Sequence, residues 1–325
     1  MKITLKLLFI VLSYSLWAQN NLYPVLYKGK WGYINDTGKV VVPYAYASAQ
    51  PFKGNFATVR IGRELLGGEK AFTFINTSGN LISSPQYEDM GTFSCGYCPV
   101  KLNGKWGFIN EDNIMVIKPV FLLANGFSDS LALVKDEKGY GFIKTSGEYI
   151  SAERYSDARD FNHQLAAVCK ENKWGYINPS GKMLIDCNYS NALSFTDTLA
   201  PVRINAYWTY INRSGIPIAS PIYDFAHKFN DGLAAVKLKG KWGFIDLKGI
   251  EKIKYTFDQV GDFNQFLCPV KEGKLWGYID TSGVKVIPCE FDYADSFNHN
   301  LAKVIKGGKT LYINTSNKII WREEY

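Results

Sequence analysis

Apolar and polar residues alternate in short runs along this chain, and Gly, Asn or Asp punctuates each run. Leu233–Leu238 (LAAVKL), residues 242–246 (WGFID) and the stretch around 253–257 are three such runs, separated by Lys239-Gly240-Lys241 and Leu247-Lys248-Gly249. A period of two residues, closed by turn formers, predicts β-strands joined by tight hairpins. No apolar stripe of helical period runs through them. Gly inside the runs would cost a helix about 1 kcal/mol each against Ala, whereas Val, Ile and Tyr suit a pleated strand. The group therefore reads as a three-stranded antiparallel meander.

The same group recurs. Tetrads begin at Trp31, Phe72, Trp106, Tyr140, Trp174, Trp208, Trp242, Trp276 and Thr310, stepping by 34 residues except for a first step of 41. A period of 34 also belongs to paired-helix repeats, but the glycines and β-branched residues reject helices here. Asn or Asp stands four residues after most tetrad starts (Asn35, Asn178, Asp246), and Gly three residues later (Gly38, Gly181, Gly249). Asn113 and Asn317 replace that Gly, and Asn is the residue that best tolerates the same left-handed backbone. The pattern is a type I turn closed by a left-handed residue. Aromatic rings recur two and fifteen residues into each unit, as at Tyr33 and Tyr46, and Phe recurs at twenty-one, from Phe52 to Phe297. Such fixed rings predict packing between neighbouring units.

The pattern KWG-[YF]-I-[ND]-x-x-G…[YF]-[DE]-x-A-x-x-F…L-A-x-V resembles the WG-containing repeat of bacterial proteins. The resemblance covers nearly the whole chain beyond its first residues. It implies a β-repeat array, often exported and serving as a binding or interaction module, with no catalytic residues to carry over. Phe72-Thr73, Trp208-Thr209 and Thr310-Leu311 depart from the pattern, the last reading as a capping unit.

Composition alters this picture little. The 325 residues carry 46% hydrophobic and 21% charged side chains, which excludes a disordered chain. The net charge of +7 is dispersed, with no basic stripe or tail, so nucleic acid is not expected as a partner. Of the 49 aromatic residues, 34 occupy repeat positions, which leaves few for a ligand. Residues 1–19 join Lys2 and Lys6 to an apolar run from Leu7 to Trp17 and a small-residue exit at Ala18. They read as a secretory signal, too short to span a bilayer, followed by one repeat domain over 20–325. The expected location is secreted or periplasmic.

Chemistry is sparse. His163 and His299 share a loop position after the repeated Phe, and no Ser-His-Asp or metal-ligand spacing forms around them or His227. Cys95-Gly96-Tyr97-Cys98 has dithiol spacing, but its register leads Cys98 into a strand where most units, Cys268 excepted, place Ala. Disulfide pairing among the six Cys is left open. The Asn/Asp row suits turns and lacks the glycine pattern of calcium repeats. The residues without a core explanation are Lys30, Lys105, Lys173, Lys241 and Lys309, each before a tetrad, and the insertion around Arg63 to Lys70.

The expectation is an all-β fold: a tandem array of nine three-stranded antiparallel units, forming an open β-solenoid or superhelix. A closed propeller-like ring is the alternative, placed second because typical blades have four strands and typical rings four to eight blades. The expected function is a non-enzymatic, exported binding or scaffold protein without cofactor or metal, contacting protein or a cell-surface polymer. The alternative is carbohydrate binding through Tyr44, Tyr149, Tyr207, Tyr255 and Tyr293.

Overall fold

The computed structural model describes residues 21–62, 72–84, 86–196 and 198–323, and no helix appears among them. Their strands form nine antiparallel sheets, each built from one contiguous stretch of chain. The fifth is representative. Asp157–Ala158 pairs with Ala166–Lys170, which pairs with Lys173–Ile177, which pairs with Met183–Tyr189. The meander of the last three strands is the expected one. The two-residue first strand is an addition, hidden in sequence within the segment that precedes the repeated Phe. The third, fifth and eighth sheets are thus two residues long at one edge and seven at the other.

Such wedges pack like a fan, and the fan closes. Tyr23, Val25 and Ile34 of the first sheet form one buried cluster with Leu301 and Tyr312 of the ninth. The Tyr312 hydroxyl donates to Pro24 O at 2.7 Å, and Asn300 N donates to the Tyr23 hydroxyl at 3.2 Å. The array is a nine-bladed β-propeller, the second of the two expected arrangements; the open stack is not formed. Strand count misled the first choice, because the inner two-residue strand supplies the fourth strand of a blade. Thr310-Leu311 accordingly caps nothing. Leu311 is buried in the ninth blade, in the core it shares with the eighth.

Adjacent blades share the core. Trp174, Tyr176, Ile185 and Tyr189 of the fifth sheet pack on Ala192, Phe195, Ala200, Val202 and Ile211 of the sixth. The ring two residues into each of the first eight tetrads meets the next blade's repeated Phe, with centroids 4.8–5.0 Å apart. Where that ring is Tyr, its hydroxyl donates to a carbonyl of the neighbouring inner segment: Gln50, Leu193, His227 or Asp295, each at 2.7 Å. The acidic residue after the second ring has a local task. Asp224, Asp258 and Asp292 accept from the hairpin N–H of Gly240, Gly273 and Gly307, and Glu88 accepts from Asn103 and Gly104.

The tetrad Gly is required by close approach of the outer strand. A Cβ on Gly107 would lie 2.5 Å from Ile117 O, and one on Gly243 2.6 Å from Ile253 O. In the second and sixth blades the outer segment makes only single bridges, Phe72↔Tyr87 with Ile75↔Leu81, and Trp208↔Tyr223 with Ile211↔Pro217. Thr fits there. Thr73 and Thr209 donate their hydroxyls to Ser83 O and Ala219 O at 2.8 and 2.7 Å. The turns follow expectation: Gly38, Gly181 and Gly249 have φ near +80°, as do Asn113 and Asn317 at about +60°, and the Asn178 carboxamide oxygen accepts from Ser180 N and Lys182 N.

Candidate functional site

The inner segments converge on the ring axis and leave a central cavity of about 550 Å³. Six consecutive blades, the second to the seventh, contribute residues that flank the repeated Phe. The Phe itself turns into the blade interface, so its neighbours in sequence turn toward the axis. Thr92, Ser128, Asn162 and Ser194 supply hydroxyls and an amide, and Lys53 and Lys228 supply cations. Neither lysine has an anionic partner among the described residues. Arg159 is committed to its neighbour: Nε donates to Ala192 O at 2.7 Å, and its guanidinium lies 5.0 Å from the Trp174 ring. Asp160 accepts from the Asn125 amide at 3.0 Å. Burial pushes its carboxyl up, and that amide pulls it partly back. Cations therefore dominate the lining.

The site residues expected from sequence lie elsewhere. Lys30, Lys105, Lys173, Lys241 and Lys309 stand on the first, third, fifth, seventh and ninth blades, each at the hairpin that leads into the tetrad strand. They circle one face of the ring instead of climbing a rim. Lys105 pairs with Glu137 of the next blade at 3.2 Å, and Lys241 with Asp258 of the next blade at 2.5 Å. Arg63 and Lys70 lie outside the described residues. The five tyrosines are spread over five blades and are not brought together. Tyr149 donates to Asp136 under the Arg154 guanidinium, while Tyr207 and Tyr293 are exposed. His163 and His299 sit at hairpin tips with φ of 51° and 53°, and His227 faces Asp262 across a blade boundary at 2.8 Å. All six cysteines are free thiols, with Cys98 and Cys268 buried in strands as expected. The lining of the channel was not foreseen. The signal for it lies in the sequence, as positions that vary from unit to unit on either side of a Phe that does not.

Comparison with known families identifies the repeat. The model of the WG containing repeat matches residues 31–63, 72–106, 106–139, 140–174, 174–208, 208–242, 242–276 and 276–309. The chain belongs to this family. No curated protein matches the sequence of this WG-repeat propeller. Among solved structures it is similar to a eukaryotic initiation factor, at 12% identity over 94% of this chain and 96% of that one, with a TM-score of 0.67. It is also similar to the dihydro-heme d1 dehydrogenase NirN, at 15% identity over 87% and 75% of the two chains, with a TM-score of 0.51. At these identities the likeness is one of fold alone. Among the described residues, no helix is long and apolar enough to cross a membrane.

Proposed function

We propose that this WG-repeat propeller is an exported, non-catalytic binding module whose central channel receives a carboxylate-bearing chain, either an acidic protein loop or an acidic cell-surface polymer. One observation carries the reading: Lys53 and Lys228 face the same cavity without anionic partners among the described residues, beside hydroxyl and amide groups suited to hydrogen-bonding an extended ligand. Each charge-assisted hydrogen bond made there is worth roughly 1.5–3 kcal/mol, less about 0.5–1.5 kcal/mol for ordering each exposed lysine side chain. The scarcity of acid–base pairs and nucleophiles along the channel supports binding over turnover. The likeness to other propellers supports only the scaffold. Export rests on the apolar leader at residues 1–19.

Binding of poly-glutamate and of polygalacturonate, followed by calorimetry at low and high salt, tests the reading. The expected result is saturable, salt-sensitive binding that the double substitution Lys53→Glu, Lys228→Glu weakens by at least tenfold, about 1.4 kcal/mol. Binding that this variant leaves unchanged would place the ligand elsewhere. Absence of binding to both polymers would remove the channel as an acidic-chain site.

A further inference from the structure

Charged residues of both signs are interleaved along the chain, but the ring sorts them by face. The hairpin leading into each tetrad strand and the connection from outer to inner strand lie on one face. Their contacts show this: Gly273 N donates to Asp258, and Gly104 N to Glu88. The turns after the tetrads and the tips after the repeated Phe lie on the other. The eight described hairpins of the first face, four residues each from 27–30 to 306–309, hold eleven lysines against four acids. On the opposite face, the five-residue turns from 35–39 to 314–318 and the three residues after each Phe hold seven basic and eight acidic side chains among the described residues. The acids of the connections do not cancel the excess, since Glu88, Asp224, Asp258 and Asp292 are turned onto hairpin N–H groups.

Four of the hairpin lysines, Lys105, Lys170, Lys241 and Lys306, are paired with carboxylates. Lys28, Lys138, Lys173, Lys239 and Lys274 are exposed and have no acidic partner among the described residues. They come from the first, fourth, fifth, seventh and eighth blades, and so are spread around the face. The same face exposes apolar side chains along one arc. Tyr207 and Leu275 stand at the position that is Lys in five other blades, and Phe225 and Tyr293 begin the inner strands of the seventh and ninth blades. All four are exposed. Their rings are anchored from behind: Phe225 meets Trp208 at 5.3 Å and Trp242 at 5.9 Å, and Tyr293 meets Trp276 at 6.1 Å.

We propose that this face docks on a bilayer surface containing anionic phospholipid. The lysines meet the headgroup phosphates, and Tyr207, Phe225, Leu275 and Tyr293 enter the boundary between headgroups and acyl chains. Geometry selects a bilayer over a soluble polyanion. A single polymer strand or protein loop reaches a few neighbouring hairpins, whereas a plane meets the whole circle at once, and contacts too weak alone then add. The apolar arc points the same way. Exposed Tyr, Phe and Leu beside Lys suit an interface that is anionic outside and apolar beneath. A purely ionic partner would leave those side chains in water. Docking of this kind is peripheral and leaves the opposite mouth of the channel open, so it is independent of the channel's ligand.

Co-sedimentation with phosphatidylcholine vesicles, with and without phosphatidylglycerol, tests this on the full chain and on the chain from Asn20. The expected result for both chains is salt-sensitive binding to the anionic vesicles and little to the neutral ones. Replacing Lys138, Lys173 and Lys274 together by Glu is expected to weaken binding roughly thirtyfold. Tyr207→Ser with Leu275→Ser is expected to weaken it roughly tenfold. These positions lie on exposed hairpins, and circular dichroism confirms that the variants fold. Lys53→Glu with Lys228→Glu is expected to leave vesicle binding unchanged, so the channel and the face are tested separately. Equal binding to neutral and anionic vesicles, or binding that the triple lysine variant does not weaken, overturns the proposal. Binding by the full chain alone also overturns it, by assigning the membrane contact to the leader. So does a lack of vesicle binding, and poly-glutamate binding lost in the triple variant would then assign the face to a soluble polymer.

Discussion

The tetrad glycine shows how one residue reports on a contact with another strand. At Gly243 the outer strand's backbone passes so close that any Cβ collides with Ile253 O. At Thr209 the outer segment has left that path, and the hydroxyl binds Ala219 O. Gly243→Thr is therefore expected to destabilise the protein by about 1–3 kcal/mol, the usual cost of overpacking. Thr209→Ser is expected to cost less than Gly243→Thr, about 1 kcal/mol, since it keeps the hydroxyl, loses one buried methyl group and forces nothing aside. Urea midpoints of the two variants check the order, and a larger loss for Thr209→Ser would refute the close-approach account. The family pattern thus records a strand separation, and its exceptions record where that separation relaxes. From sequence alone the exceptions were visible, but their cause was not, because the residue they answer to lies ten positions away in the outer segment.

At the scale of the element, the hairpins were legible and the blade edges were not. The Asn-x-x-Gly turn is a local device, closed by hydrogen bonds within five residues, so its signature survives in a single unit. In seven blades the inner strand is two residues long and carries no periodicity of its own, which is why it read as loop. Outer edges depend on partners even less local. In the fourth blade the edge lacks a regular strand and is held by a partly buried cluster. Arg154 Nε donates to Asp136 at 2.9 Å, Tyr149 donates to the same carboxylate at 2.8 Å, and the guanidinium stacks on the Tyr149 ring at 3.5 Å. Arg154→Ala leaves a half-buried carboxylate without its cation, so a loss of about 2–3 kcal/mol is expected. Arg154→Lys restores only part of it, since Lys lacks the planar group that stacks. Thermal unfolding compares the pair. Melting temperatures of both variants equal to that of the unsubstituted protein would show that neither charge nor stacking holds this edge.

For the whole molecule, nine copies were plain in the 34-residue step, yet closure was not. Whether units form a stack or a ring depends on the angle between adjacent sheets, and that angle arises from an inner edge much shorter than the outer one. The channel was equally hidden, because its lining exists only once the ring is closed. Closure also has a weak point. Among the described residues, the first blade has no inner strand, and no repeated Phe lies at its boundary with the ninth. Hydrogen bonds from Tyr312 to Pro24 and from Asn300 to Tyr23 span it. Local opening should therefore begin at this boundary. In native-state hydrogen exchange, the amides of Tyr23–Tyr27 are expected to exchange sooner than those of Leu199–Ile204, the equivalent strand of a filled blade. Tyr312→Phe removes a hydroxyl that bridges the seam and should speed exchange there about fivefold, for a bond worth about 1 kcal/mol. Tyr176→Phe removes the matching hydroxyl inside the ring, where four other blades already carry Phe and a full core remains. It should alter exchange at Leu199–Ile204 much less. If both substitutions act alike, the seam is as firmly held as any other boundary, and the ring has no preferred place to open.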